Sequence, residues 1–106
     1  MNEAAELREL LRACPLLVVY YSTPTCSVCK VLKPKVEDLV ATLPPWQYFY
    51  VDVSQNAQLR GQGMIFNVPT VILYAEGKEV KRFSRNFGIG ELEEVLQRYQ
   101  SLMSPS

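Results

Sequence analysis

The sequence predicts an α/β domain in which helices cover both faces of one mixed β-sheet. Three observations carry this. Helical and strand-like periodicities alternate along the chain in the order α-β-α-β-α-β-β-α, the pattern of a layered domain. The run Leu16-Leu17-Val18-Val19-Tyr20-Tyr21 is almost continuously apolar, as a strand covered on both faces must be. Glu76-Gly77-Lys78 has hairpin-loop chemistry, which makes one pair of strands antiparallel. About four strands and four helices are expected, in one domain over residues 1–106.

Taken in order, Asn2 can cap a first helix in which Ala4, Ala5, Leu7, Leu10 and Leu11 recur at helical spacing to about Ala13. Pro15 ends it, because the residue before a proline is pushed out of the helical region. Cys14 at this junction reads as a small buried apolar side chain. Leu16 to Tyr21 is the first strand. A helix from Cys26 to about Thr42 follows, burying Val28, Leu32, Val36, Leu39, Val40 and Leu43. Pro34 inside it removes one hydrogen bond and is expected to kink it. Pro44-Pro45 stops it. Trp46 to Val53 is aromatic and β-branched, hence a second strand. Ser54-Gln55-Asn56 turns into a short helix ending near Gly61 or Gly63. Phe66 to Thr70 reads as a loop, Val71 to Tyr74 as a third strand and Glu79 to Phe83 as a fourth. Gly88 and Gly90 precede a last helix from Glu91 to about Leu102.

Composition excludes several functions. The 106 residues suffice for one modest core, and 48% hydrophobic residues argue against disorder. Eleven basic and eleven acidic residues cancel, so neither nucleic acid nor a membrane surface is expected as a partner through bulk charge. No segment approaches the roughly 20 apolar residues of a membrane span. Met1 to Glu6 has neither the basic region nor the apolar core of a secretory signal, although a chain already processed would read the same. A cytoplasmic location is the expectation. Three cysteines and no histidine argue against a disulfide-stapled fold and remove histidine-assisted nucleophiles. Cys14, Cys26 and Cys29 are too few for a structural zinc within one chain, and no metal or other cofactor is expected.

The chemistry concentrates at Tyr20-Tyr21-Ser22-Thr23-Pro24-Thr25-Cys26-Ser27-Val28-Cys29-Lys30. Strand, polar turn, Cys-x-x-Cys and helix follow one another, the context in which such a pair reads as redox-active. A helix N-terminus presents unpaired N–H groups and partial positive charge. A thiol there loses its proton more readily, and Cys26 is expected to titrate at about 6–7.5 against about 8.5 for a free thiol. Lys30 reads as a solvated residue.

On these residues the chain resembles the thioredoxin family over about residues 3 to 103. Cys26-Ser27-Val28-Cys29-Lys30 follows a buried strand. Pro34 stands where thioredoxins have a helix-kinking proline, and Val68-Pro69-Thr70 precedes the third strand. The resemblance implies a thioredoxin-like fold with a cis-proline loop in which Pro69 faces the cysteines. It implies a thiol–disulfide oxidoreductase in which Cys26 attacks a substrate disulfide and Cys29 resolves the mixed disulfide. Val68, Pro69 and Thr70 would hold the substrate, and Pro24, Thr25, Ser27, Val28, Tyr20 and Tyr50 would surround the active site. The partners implied are disulfide-containing proteins or peptides and a reductase or other dithiol donor.

Departures from the family pattern are specific. The dipeptide between the cysteines is Ser27-Val28 instead of glycine–proline. The family's buried aspartate falls on Tyr20, its lysine partner on Tyr50 and its active-site tryptophan on Ser22. Tyr20 and Tyr50 read as core aromatics, each bonded to the other or to water. Phe87 and Ile89 fit either a peptide-docking surface beside Pro69 or the core. Two other functions share these features: a non-catalytic binding module or redox sensor, and an oxidase or isomerase in an exported compartment.

Overall fold

The computed structural model describes residues 3–24, 27–65, 67–84 and 87–103. Of these, residues 3, 4, 27–29 and 103 are described by their backbone alone. The elements are α1 (Glu3–Ala13), β1 (Leu16–Ser22), α2 (Ser27–Ala41), β2 (Gln47–Asp52), α3 (Ala57–Gly63), β3 (Thr70–Ala75), β4 (Lys78–Ser84) and α4 (Ile89–Met103). Their order is the one the periodicities predict. The strands form one sheet in the spatial order β2-β1-β3-β4. β1 pairs parallel with β2 and antiparallel with β3, and β3 pairs antiparallel with β4.

Every residue of β1 is buried, because it is central and covered on both faces. Alternation along the strand then divides the core in two. Leu16, Val18 and Tyr20 join Val71 and Leu73 against Val36 and Val40 of α2 and Leu92 and Leu96 of α4. Leu17, Val19 and Tyr21 join Ile72 against Leu7 of α1 and Leu59 of α3. Cys14 is half-buried, packed on the edge of the second cluster, and makes no disulfide.

The β3–β4 hairpin has a two-residue loop. Ala75 pairs with Lys78, and Glu76 (φ 52°) and Gly77 (φ 82°) both take positive φ. Those signs are the ones whose twist matches the flanking strands. A Cβ on Gly77 would stand 3.2 Å from the Leu11 carbonyl oxygen, and the Glu76 amide donates to the Pro15 carbonyl at 2.8 Å. The hairpin therefore packs tightly against the α1–β1 connection, where glycine fits on both counts.

Some boundaries differ from the sequence expectation. Trp46 is not in β2. It precedes the strand, is buried, and donates its indole Nε1–H to the Leu96 carbonyl at 2.8 Å, tying the α2–β2 connection to α4. Thr70 is not in the loop but opens β3, because it pairs with Tyr21 on one side and Ser84 on the other. α4 starts at Ile89, so Gly90 lies inside its first turn, and the Leu92 amide bonds the Gly88 carbonyl at 3.2 Å. α2 runs as one helix through Pro34. The proposed cap Asn2 and loop residue Phe66 lie outside the described residues.

Candidate redox site

The sheet register positions the site. β1 and β3 are antiparallel neighbours in which Tyr21 opposes Thr70. The C-terminal end of β1 therefore lies beside the N-terminal end of β3. Pro69 immediately precedes Thr70, and Cys26 follows Ser22 by four residues. One end of the sheet thus carries the loop of Val68, Pro69 and Thr70 together with the turn leading to the cysteine pair. Thr25 and Cys26 lie outside the described residues, as do the side chains of Ser27, Val28 and Cys29. The backbone of Ser27 and Cys29 forms the first turn of α2, which places the second cysteine at a helix start.

Around that end, Pro24 is an exposed turn residue and Lys30 is exposed on α2. Ser22, on the tryptophan position of the family, is buried, and its hydroxyl donates to the Thr23 carbonyl at 3.2 Å. Pro69 is buried, and the Val68–Pro69 peptide is cis, as is Pro44–Pro45. Val68 is half-buried against the second core cluster. The Thr70 hydroxyl donates to the Asn67 carbonyl at 2.6 Å, closing the loop on itself, and lies 3.3 Å from the Ser84 hydroxyl.

Tyr20 and Tyr50 do not hydrogen-bond each other. They oppose one another in the parallel β1–β2 register, so their rings project side by side and stack, with centroids 6.2 Å apart at 24°. Tyr48 packs on Tyr20 at 6.5 Å and 42°. The Tyr20 and Tyr48 hydroxyls are buried and have no hydrogen-bond partner among the described residues. Burial pushes the Tyr20 hydroxyl up to about 12, with Tyr50 adding to it. Tyr20 is therefore neutral at physiological pH and supplies no carboxylate-like base where the family has its aspartate. Lys33 bonds Glu37 one turn along α2 and lies 5.0 Å from the Tyr50 ring centroid, a cation–π contact over the cluster.

Of the two roles open to Phe87 and Ile89, the structure shows the core one. They are half-buried against the core. With Val31, Leu32, Lys35 and Gly88 they also line a shallow cleft between α2 and the start of α4. Sequence reasoning missed a second cleft, on the opposite sheet face beside Pro69, lined by Met64, Asn67, Thr70, Glu79, Arg82 and Ser84. The alternation of β4 signalled only that Arg82 faces the same way as Ser84. Nothing local announced that its guanidinium would bond the end of α3. Among the described residues, no group of three or more histidine, cysteine, aspartate or glutamate side chains could hold a metal, and no helix is long and apolar enough to cross a membrane.

A four-stranded mixed sheet with a Cys-x-x-Cys helix after its central strand and a proline loop beside it defines the thioredoxin fold class. Solved structures agree. Thioredoxin 1 from the thermophilic eubacterium Thermosipho africanus matches with a TM-score of 0.76 and 34% identity, over 81% of this chain and 96% of that one. Fasciola hepatica thioredoxin matches with a TM-score of 0.82 and 33% identity, over 90% and 92%. The family model described as Thioredoxin matches residues 2–98, and the chain belongs to that family. A thioredoxin of Mycoplasmoides gallisepticum is 31% identical over 97 residues, 92% of this chain and 97% of that protein. Membership supports a thiol–disulfide oxidoreductase in general.

Proposed function

We propose that the protein reduces protein disulfides through a Cys26/Cys29 dithiol. The observation that supports this is the Tyr21–Thr70 register, which sets Pro69 and the strand end leading to the Cys-x-x-Cys pair at one end of the sheet. Cys26, at the mouth of the turn, attacks as the thiolate. Its sulfur bonds one substrate sulfur, the substrate S–S bond breaks, and the other substrate sulfur leaves as a thiolate. Cys29 lies one turn further along α2, where side chains point back toward the helix start. It attacks the Cys26 sulfur, forming the Cys26–Cys29 disulfide and releasing the second substrate thiol. Two electrons pass to the substrate, and a reductase or other dithiol donor restores the pair. Free main-chain groups of Val68 hold the substrate as an added extended segment. Because Tyr20 offers no base, Cys29 loses its proton to water or to the leaving thiolate, so release steepens with rising pH. A cytoplasmic location suits a pair kept reduced.

Non-reducing gels test the assignment. Cys29→Ser incubated with a disulfide protein should accumulate a covalent complex, and Cys26→Ser should accumulate none. Cys14→Ser should leave turnover unchanged, since Cys14 sits at the other end of β1. Trapping by Cys26→Ser would reverse the roles. Trapping by neither would favour a non-catalytic binding module, the reading that tyrosines at positions 20 and 50, in place of the family's buried charge pair, motivate.

A further inference from the structure

A cleft of about 550 Å³ lies between α2 and the start of α4, lined by Val31, Leu32, Lys35, Phe87, Gly88 and Ile89. Helix geometry ties it to the cysteine pair. Val31 and Lys35 stand one turn apart on one stripe of α2, and that stripe runs back through positions 27 and 28, between the cysteines. The rise along α2 from Ser27 is about 6 Å to Val31 and about 12 Å to Lys35. An extended segment covers such spans in about two to four residues. A substrate joined to Cys26 therefore has chain to spare to reach the cleft.

The lining sets the chemistry. Val31 is 61% exposed, on a helix whose other valines and leucines at this level turn inward. Leu32, Phe87 and Ile89 are half-buried against the core and give the cleft the rest of their surface. A Cβ on Gly88 would meet nothing within 4 Å, so the rim is open there. Among the described lining residues Lys35 alone is charged. It is exposed and pairs neither with Asp38, one turn on, nor with any other acid among the described residues. Lys33 is by contrast taken up by Glu37.

These features select among occupants. Apolar walls reward burial of an aliphatic or aromatic side chain. A polar side chain would lose water there and gain no bond. A basic one would meet Lys35, whereas a carboxylate beside the apolar group would pair with the free ammonium at the rim. Resting on the reductase reading, we infer that the α2/α4 cleft is a docking subsite for a bulky apolar side chain with an acidic neighbour, two to four residues from the attacked cysteine of the substrate. The apolar group lies against Val31, Phe87 and Ile89, and the carboxylate meets Lys35.

The test has two arms. In the first, peptide disulfides carrying Leu-Glu, Leu-Lys or Ser-Ser two to four residues from the cysteine are reduced by the native protein, by Gly88→Trp, which fills the open rim, and by Lys35→Glu. Ratios of kcat/KM are compared within each protein, so any general change in activity cancels. In the native protein the Leu-Glu peptide should exceed Ser-Ser about tenfold and Leu-Lys about threefold. Gly88→Trp should shrink the first ratio to under about twofold. Lys35→Glu should reverse the second. In the second arm, S-methylcysteine peptides, which cannot react, are titrated into ¹⁵N-labelled native protein. The Leu-Glu peptide should shift the amides of Val31, Lys35 and Ile89, and should not do so in Gly88→Trp. Equal turnover of Leu-Glu and Ser-Ser, a preference that survives Gly88→Trp, or indifference to the charge of the neighbour overturns the subsite and leaves the reductase standing. A concentration-dependent dimer of the native protein that Gly88→Trp abolishes would assign the cleft to a second copy of the chain and equally overturn it. Absent reduction of every peptide overturns the reductase, and the titration alone then decides the cleft: shifts at those amides keep it, their absence ends it.

Discussion

Two tyrosine sites on opposite faces of one sheet are treated differently. On the α1/α3 face, the Tyr21 and Tyr74 hydroxyls bond each other at 3.1 Å. Burial pushes both groups up, and the Arg82–Glu79 pair lies close enough to modulate them. On the α2/α4 face, the Tyr20 and Tyr48 hydroxyls are buried with no partner among the described residues, although their rings pack closely. Register accounts for part of the difference. Tyr21 and Tyr74 lie on antiparallel strands, opposite Thr70 and Leu17, and reach toward one another across the sheet. Tyr20 and Tyr50 lie on parallel strands in direct opposition, which aligns ring faces instead of hydroxyls. The face under the cysteine helix therefore keeps polar atoms that contribute little to stability, while the other face uses them as structural bonds.

Apolar truncation should not distinguish the faces, and it gives the largest effect. Leu73→Ala under α2/α4 and Ile72→Ala under α1/α3 are both fully buried, and each should cost about 2–5 kcal/mol in urea unfolding. A gap between them wider than that range would mean that packing, not polar pairing, separates the faces.

Arg82→Met comes next. It removes the bonds to the Gly63 and Met64 carbonyls and the Glu79 pair, and should lower stability by about 1–3 kcal/mol, most of it from the carbonyls, since a partly exposed ion pair adds little. The pH dependence gives the sign. Glu79 is held below its ordinary 4.5 in the fold by the Arg82 bond. Its contribution is present above that value and lost as pH falls through the lower folded value. Arg82→Met should flatten the stability curve in that acid range. An unchanged acid limb would show that the clasp does not form in solution.

The smallest effects separate the tyrosines themselves. Tyr21→Phe leaves the Tyr74 hydroxyl without its partner and should cost about 1 kcal/mol. Tyr20→Phe removes a hydroxyl with no bond among the described residues, and should be neutral or stabilising by up to about 1 kcal/mol. Equal losses for both would erase the contrast.

Much of this was legible in the sequence because it is local. A short continuous apolar run rich in valine and tyrosine is what a central strand shows, two positive-φ positions sit where Glu-Gly announces a tight hairpin, and Cys-x-x-Cys follows a strand with helix after it. That Pro69 faces the cysteines is an expectation from the match to the family pattern. What could not be read depends on partners far away in the chain. Trp46 leaves β2 because its indole bonds Leu96, fifty residues on. Thr70 joins β3 because Tyr21 and Ser84 flank it. Arg82 looks like any solvated strand cation until α3 ends against it. The Tyr20–Tyr50 stack depends on a register that no periodicity specifies, and a hydrogen bond was the natural expectation for two facing phenols.

The central claim is that Cys26 and Cys29 form a reversible couple poised for reduction of substrates. Equilibrating the protein in graded dithiothreitol or glutathione buffers, trapping with an alkylating reagent and weighing the products measures it directly. The account predicts one two-electron transition confined to Cys26 and Cys29, with a midpoint below about −230 mV, toward the roughly −270 mV of thioredoxin, and with Cys14 alkylated throughout. A midpoint near −120 mV would make the protein an oxidant, and a pair that stays dithiol in oxidised glutathione would contradict the redox reading altogether.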